Sequence, residues 1–173
     1  MKLFVAAVFA LSASVLIAAE PATRILTIEY WHGRSATVWS CESHVVRRFE
    51  RDDNGTIDRN ATSFAINNAC VEALKQAIVD IPRQSRGRVY YTHVQDGIML
   101  RISFSSDGSL RDDRVEVQNS WLPELSTLIE TLDRMLPPDA RVTFRADVEA
   151  RVRTSPGYRG DQKSKTVREY YGS

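Results

Sequence analysis

The chain has 173 residues, of which 43% are hydrophobic and 26% are charged, and its 23 basic and 22 acidic residues leave a formal net charge of +1. This composition is ordinary for a globular protein. A chain so close to neutral gives no general electrostatic reason to expect nucleic acid or an acidic membrane as a partner, and we expect no nucleic-acid partner.

Residues 1–19 differ in character from the rest of the chain. Lys2 is followed by an apolar run from Leu3 to Ala19 that ends in small residues, which is typical of a secretory signal peptide. The alternative is a retained membrane anchor, but a spanning helix needs about 20 apolar residues and this run is slightly short. We therefore expect cleavage near Ala19 and a periplasmic or secreted protein. No later stretch is apolar enough to span a membrane, so none is expected after cleavage.

The region after the signal sequence begins with strands. The side chains of Arg24–Trp31 alternate, with Glu29 and Trp31 on the same side, and a period of two predicts a β-strand. Further extended stretches are predicted over 36–41 and 43–51. Asn54-Gly55 then predicts a tight hairpin turn, because both central residues of such a turn need positive φ.

The apolar period changes to three and four beyond residue 62, which predicts an amphipathic helix. Thr62 or Ser63 is expected to cap it, and Pro82 to end it. Its apolar stripe consists of Cys70, Ala73, Leu74, Ala77, Ile78 and Ile81.

The second half of the chain is predicted to contain strands over 89–94, 98–104 and 115–118, with turns at Asp96-Gly97 and Asp107-Gly108. A second helix is expected to be capped by Ser120 and to end at Pro137. Its stripe consists of Leu125, Leu128, Ile129, Leu132 and Leu136. A last strand is predicted from the alternation of Val142, Phe144, Ala146 and Val148.

Residues 154–173 are polar and basic and show no apolar period, so they are predicted to be a disordered tail. The tail carries Tyr158, Tyr170 and Tyr171 among its basic residues, a mixture also compatible with an anionic binding surface. We prefer the interpretation as a solvated, unbound tail.

Two segments of the chain share a pattern. Each segment contains, in the same order, a turn, the apolar stripe of a helix, a proline that ends the helix and the start of a strand. This recurrence indicates an internal duplication. The predicted fold is therefore α+β: an antiparallel sheet with two helices packed on one face, built from two hairpin–helix–strand units. These units cover about 43–94 and 97–148 of a single domain, residues 20–153.

The unit resembles the C-terminal domains of TonB and TolA, periplasmic proteins that transduce energy. Ile102–Leu110, with its Asp-Gly turn, and the helix segment Ala69–Leu74 carry the resemblance. It implies a fold that binds protein partners through sheet edges. We recognise no anchor helix or long stalk of that kind in the sequence, and we therefore expect that the resemblance does not extend to energy transduction.

The two cysteines, Cys41 and Cys70, are expected to form a disulfide, because an even pair in an exported protein normally does. A loop of this size is worth about 3 kcal/mol in the chain-entropy model. The alternative, a redox or metal pair, lacks the Cys-x-x-Cys spacing. The resemblance also implies a bridge between a hairpin cysteine and a helix cysteine.

No catalytic, cofactor or metal constellation is predicted. The turn at 50–58 resembles the start of a calcium loop, but Ala61 stands at the twelfth position, where a glutamate is expected. An exposed acidic turn explains those residues equally well. Three histidines, His32, His44 and His93, lie in separate segments.

Two classes of function follow. The first is a non-enzymatic interaction module with a protein partner in the cell envelope. The second is a small secreted enzyme inhibitor or immunity-type protein. An enzyme of unrecognised type is disfavoured, because the polar groups of a catalytic site do not converge in the sequence.

Overall fold

The computed structural model describes residues 24–55, 61–93, 97–105, 113–152, 154 and 161–172. The predicted signal peptide, residues 1–19, and the predicted Asp107-Gly108 turn lie outside the described residues. Within the described ranges, no helix has the length and apolar character needed to cross a membrane.

The described strands form one eight-stranded sheet in the order β4-β3-β2-β1-β6-β7-β5-β8. Their bounds are β1 Arg24–His32, β2 Ser35–Glu42, β3 Val45–Asp52, β4 Thr62–Ala65, β5 Arg88–Tyr91, β6 Ile98–Phe104, β7 Arg114–Gln118 and β8 Lys163–Thr166. Every neighbouring pair is antiparallel except β5 and β7, which are parallel. The α+β class is confirmed, but the sheet is mixed and not purely antiparallel.

Helices lie on both faces of this sheet. Their bounds are α1 Asn68–Val79, α2 Ser126–Asp133, α3 Phe144–Asp147 and α4 Val167–Tyr171. Helices α1 and α2 contact each other and bury their apolar stripes in one hydrophobic core with the inner side chains of the sheet. Helix α4 lies on the opposite face, where Tyr170 and Tyr171 bond to side chains of β7.

The core lies between the sheet and helices α1, α2 and α3. Side chains there that are fully buried include Leu26, Ile28, Leu74, Leu100, Ile102, Phe104, Leu125, Leu128, Leu132 and Phe144. The indole of Trp39 donates to the carbonyl of Ala140 (2.6 Å), which ties β2 to the segment between α2 and α3. Burying these side chains is worth about 1.5–3 kcal/mol each relative to full exposure.

Both predicted helix caps are wrong. Thr62 and Ser63 belong to β4, which pairs with β3, and α1 is capped by Asn67, whose side chain accepts from the backbone N–H of Cys70 (2.9 Å). Ser120 precedes a 3₁₀ turn at Pro123–Leu125 that leads directly into α2. Caps are short-range signals, and several neighbouring polar residues compete for them.

The predicted last strand is also wrong, because residues 144–147 form α3 and a π-helical turn, Val148–Val152, continues it. Phe144 and Val148 are both buried. Their spacing of four residues satisfies the periods of a strand and of a helix alike, which is why alternation alone misassigned them. The second unit therefore lacks the closing strand that the duplication requires.

The prediction of a disordered tail does not hold for residues 161–172. Strand β8 pairs with β5, and α4 follows with a capping box formed by Thr166 and Glu169. The capping pattern was present in the sequence, whereas the sheet edge that accepts β8 was not visible there. Residues 155–160 and 173 lie outside the described residues.

Candidate functional site

The face of the sheet opposite α1 and α2 carries a row of charges. Side chains alternate along each strand, so Leu100 and Ile102 face the core and Arg101 faces the other way. Arg101 lies opposite Glu29 on β1 and opposite Glu116 on β7. Three neighbouring strands therefore place negative, positive and negative charges side by side in one row.

We call this row, extended by an arginine at each end, the charge chain: Arg51, Glu29, Arg101, Glu116 and Arg114. The guanidinium–carboxylate distances along it are 2.7, 3.3, 3.0 and 3.4 Å. The Glu116 side chain has no solvent exposure, and that of Glu29 is 11% exposed. Buried carboxylates are stable only when paired, and each of these contacts two arginines.

Arg101 is the centre of the charge chain and stays charged. Burial lowers its pKa, but the nearby charges of Glu116 and Glu29 outweigh burial, so its pKa is raised overall. A fixed charge at this position holds both carboxylates in place.

The C-terminal residues close over one end of the charge chain. Tyr171 donates its hydroxyl to Glu116, and Tyr170 donates to the side-chain carbonyl of Gln118 (2.8 Å). Tyr170 also meets the ring of Tyr91 edge-on, with 5.1 Å between ring centroids. Burial and the bond to Glu116 raise the pKa of Tyr171 to about 12. Helix α4 is thus anchored by both polar and aromatic contacts.

Beside the charge chain lies an open depression of about 460 Å³, which we call the aromatic depression. Its larger side chains are Trp31, Met99, Tyr170 and Tyr171, contributed by β1, β6 and α4. Tyr171 is 47% exposed, the highest exposure of any large aromatic side chain in the described part of the chain. The depression is therefore accessible to a partner.

The side-chain polar atoms around the aromatic depression already have hydrogen-bond partners. The indole N–H of Trp31 donates to Glu29 (3.0 Å), and the amide of Gln118 lies between the Tyr170 hydroxyl and the Met99 sulfur. Such a surface offers apolar and aromatic area with fixed orientation. It is suited to accept an apolar side chain.

Gly97 and Asn119 shape one side of the depression. The Asn119 side chain accepts from the backbone of Ile98 (2.7 Å) and donates to the carbonyl of Thr92 (3.2 Å). A Cβ atom at Gly97 would overlap the Asn119 amide, so the close approach requires glycine. The sequence predicted Gly97 as a turn residue, and its packing against Asn119 is a second reason for glycine at this position.

A second depression, of about 320 Å³, opens on the helix side of the sheet. Within it the Tyr30 hydroxyl donates to Asp147 (2.7 Å), and Thr143 donates to the same carboxylate oxygen (3.0 Å). His32 lies at this depression with its ring edge-on to Tyr30. These hydrogen bonds link β1 to α3, so a structural role accounts for the polar side chains of this depression.

The predicted disulfide is absent from the structure: Cys41 and Cys70 are both free. Cys41 belongs to the hydrophobic core, and Cys70 packs against the same core from the first turn of α1. Burial, followed by the charge of Glu42, raises the pKa of Cys41 to about 11. The bond itself stays a prediction for the exported, oxidised protein.

Among the described residues, no cluster of three or more His, Cys, Asp and Glu side chains is arranged to hold a metal. In the described part of the calcium-like turn, Asp52 accepts from the backbone N–H of Asn54, and Asp53 pairs with Arg34. Residues 56–60 of that turn lie outside the described ranges.

Comparison of the chain with models of protein families, with curated proteins and with solved structures finds no match. The candidate site therefore rests on geometry alone.

Sequence reasoning missed the aromatic depression because its parts are far apart in the chain. Two local signals were present: Glu29 and Trp31 on one side of β1, and the adjacent tyrosines Tyr170 and Tyr171. Nothing local to either segment indicates that they meet across β6 and β7.

Proposed function

We propose that this protein is an exported, non-enzymatic interaction module that binds a protein of the cell envelope, and that the partner docks on the aromatic depression. The observation that carries this proposal is that the exposed Tyr171 and the partly exposed Trp31, Met99 and Tyr170 surround one concavity whose side-chain polar atoms already have partners.

The residue types at the depression support binding to a protein. Tyrosine, tryptophan, methionine and arginine are the types enriched in the cores of protein interfaces. A concave aromatic patch also provides the pocket that a binding hot spot needs. Because the hydroxyls and the indole are held by hydrogen bonds, little side-chain entropy is lost on binding.

The sheet edges are less suited than the depression to serve as the main contact. Strands β4 and β8 are the two edges in the described part of the chain, and each has four residues. Strand β8 carries Lys163 and Lys165, and lysines on an edge discourage pairing with another chain. The resemblance to TonB and TolA motifs is therefore not the source of the binding mode in this proposal.

Site-specific photocrosslinking in the source organism tests the proposal. A benzophenone side chain is placed at Met99, inside the depression, and in a second variant at Val79, which is 58% exposed on α1. We expect a discrete envelope-protein adduct from position 99 only, and its loss when Trp31→Ala is added. A dominant adduct with a single hydrolase or toxin would favour the inhibitor or immunity class instead. Equal labelling from both positions, or from neither, would contradict docking at the depression.

Export is tested separately by mass spectrometry of the protein recovered outside the cytoplasm. The N-terminus is expected close to Glu20. An intact Met1 in a membrane fraction would refute cleavage.

A further inference from the structure

The charge chain has an odd number of members. Three arginines share two glutamates, so it carries one net positive charge, and Arg51 and Arg114 occupy its ends. Arg101 contacts two carboxylates, whereas each end arginine contacts one carboxylate of the chain. The acidic residues next to these ends in sequence have other partners: Asp113 pairs with Arg86 (3.0 Å), Glu50 pairs with Arg48 (3.4 Å), and Asp52 accepts from the backbone N–H of Asn54 (3.0 Å). The net positive charge of the charge chain therefore lies on the two arginines at its ends.

Both ends lie against the rings of the aromatic depression. The guanidinium of Arg51 is 5.3 Å from the ring centroid of Trp31, and that of Arg114 is 5.9 Å from the ring centroid of Tyr171. Their side chains are 31% and 32% exposed, so a ligand can reach them. An apolar binding surface is thus flanked by two accessible, incompletely neutralised arginines.

We propose that the partner presents an acidic segment, in which an apolar or aromatic side chain enters the aromatic depression and flanking carboxylates bind Arg51 and Arg114. This inference rests on the proposed function and adds the chemistry of the partner. Arginine binds carboxylates through two parallel hydrogen bonds, and its stacking on a ring fixes the orientation of its donors. A basic segment would instead meet three guanidinium groups. A nucleic acid would need a wider cationic surface than one net charge provides.

Peptide display tests the inference while the partner is still unidentified. A random 12-residue library is selected on the wild-type protein, and clones are kept only if Trp31→Ala abolishes their binding. The retained peptides are expected to be net negative, with acidic residues flanking an aromatic or aliphatic position. The affinity of a synthetic representative should fall severalfold between about 50 and about 300 mM salt, because accessible charges are screened.

The end arginines are then neutralised one at a time. Arg51→Gln and Arg114→Gln are each expected to lower the affinity for the representative peptide about 3–10-fold at low salt. Each should also reduce the dependence of that affinity on salt concentration. Arg145→Gln is the matched control, because Arg145 also stacks over a tryptophan, Trp121, at 5.6 Å. That variant should leave the affinity unchanged.

The outcomes separate this inference from the function on which it rests. Depression-dependent peptides that are neutral or basic, or an affinity that Arg51→Gln and Arg114→Gln leave unchanged, would overturn the acidic partner while keeping the docking site. A single-stranded DNA 12-mer that binds more tightly than any peptide would also overturn it. Failure to retain any depression-dependent peptide would overturn both proposals.

Discussion

The hydroxyl of Tyr171 donates a hydrogen bond to Glu116, a carboxylate with no solvent exposure in the middle of the sheet. The third residue from the C-terminus is thereby joined to the charge chain, which links β3, β1, β6 and β7. The same tyrosine forms part of the aromatic depression. The C-terminal segment, residues 161–172, therefore completes the candidate site.

Deleting residues 161–173 is expected to abolish binding at the aromatic depression while leaving the domain folded. Within the described ranges, the hydrophobic core contains no residue beyond Val148, so its packing survives the deletion. The deletion removes the Tyr171–Glu116 bond, the Tyr170–Tyr91 contact and the pairing of β8 with β5, and it should lower the free energy of unfolding by at least the roughly 2–4 kcal/mol that the first two contribute. Urea denaturation followed by circular dichroism measures this cost.

The control for that deletion is the double variant Lys163→Ala and Lys165→Ala, since both side chains are exposed. It should change the free energy of unfolding by less than about 0.5 kcal/mol. A deletion variant without cooperative unfolding would show that the segment is required for the fold.

The contribution of Tyr171 to stability should disappear in alkaline solution. Its pKa is raised from 10.0 to about 12 in the folded protein, chiefly by burial, so the protonated form is favoured by folding. Its contribution is therefore fully present below about pH 10 and is lost as the pH rises from about 10 to about 12. The difference in unfolding free energy between wild type and Tyr171→Phe, measured between about pH 8 and about pH 11, should narrow above about pH 10. A difference that stays constant across this range would contradict the raised pKa of Tyr171 in the folded protein.

Substitution of two apolar residues of the same helix should change the free energy of unfolding by very different amounts. Leu74 is fully buried, whereas Val79 is 58% exposed, although both lie in α1. Leu74→Ala is expected to cost about 2–5 kcal/mol through lost burial and the resulting cavity. Val79→Ala should change stability by less than about 0.5 kcal/mol. Chemical denaturation of both variants, with a single transition expected in each, provides the measurement; similar values would refute the assigned helix face.

The cysteines are expected to differ in reactivity when the protein is kept reduced. Cys41 is 1% exposed and its pKa is raised to about 11, so its thiolate is scarce and inaccessible at neutral pH. Cys70 is only partly buried and should react with iodoacetamide first, as followed by mass spectrometry. In protein isolated after export, denatured without reductant, we expect no labelled thiol. Two labelled cysteines in that sample would refute the predicted disulfide.

The sequence indicated most of the first seven strands and the cores of the two longer helices, because those elements carry their own periodicity. Arg24–Trp31 shows the period of two of a strand in its sequence, and Leu74 and Leu128 lie on apolar stripes that only a helix can bury on one side. Such patterns predict the fold class, because they show which face of each element must be buried. The same reasoning failed at Phe144 and Val148, whose spacing fits both a strand and a helix.

Tertiary structure alone decided the neighbours of each strand and hence the candidate site. Strand β7 lies between β6 and β5, so the chain pairs β5 with β7 in parallel and leaves the outer side of β5 for β8. Residues 163–171 pack against that edge, although their sequence shows no apolar period of its own. The periodicity of a segment predicts which of its faces is buried, but it does not predict which distant element packs against that face. Trp31, Met99 and Tyr171 therefore meet only because the sheet places β1, β6 and α4 together.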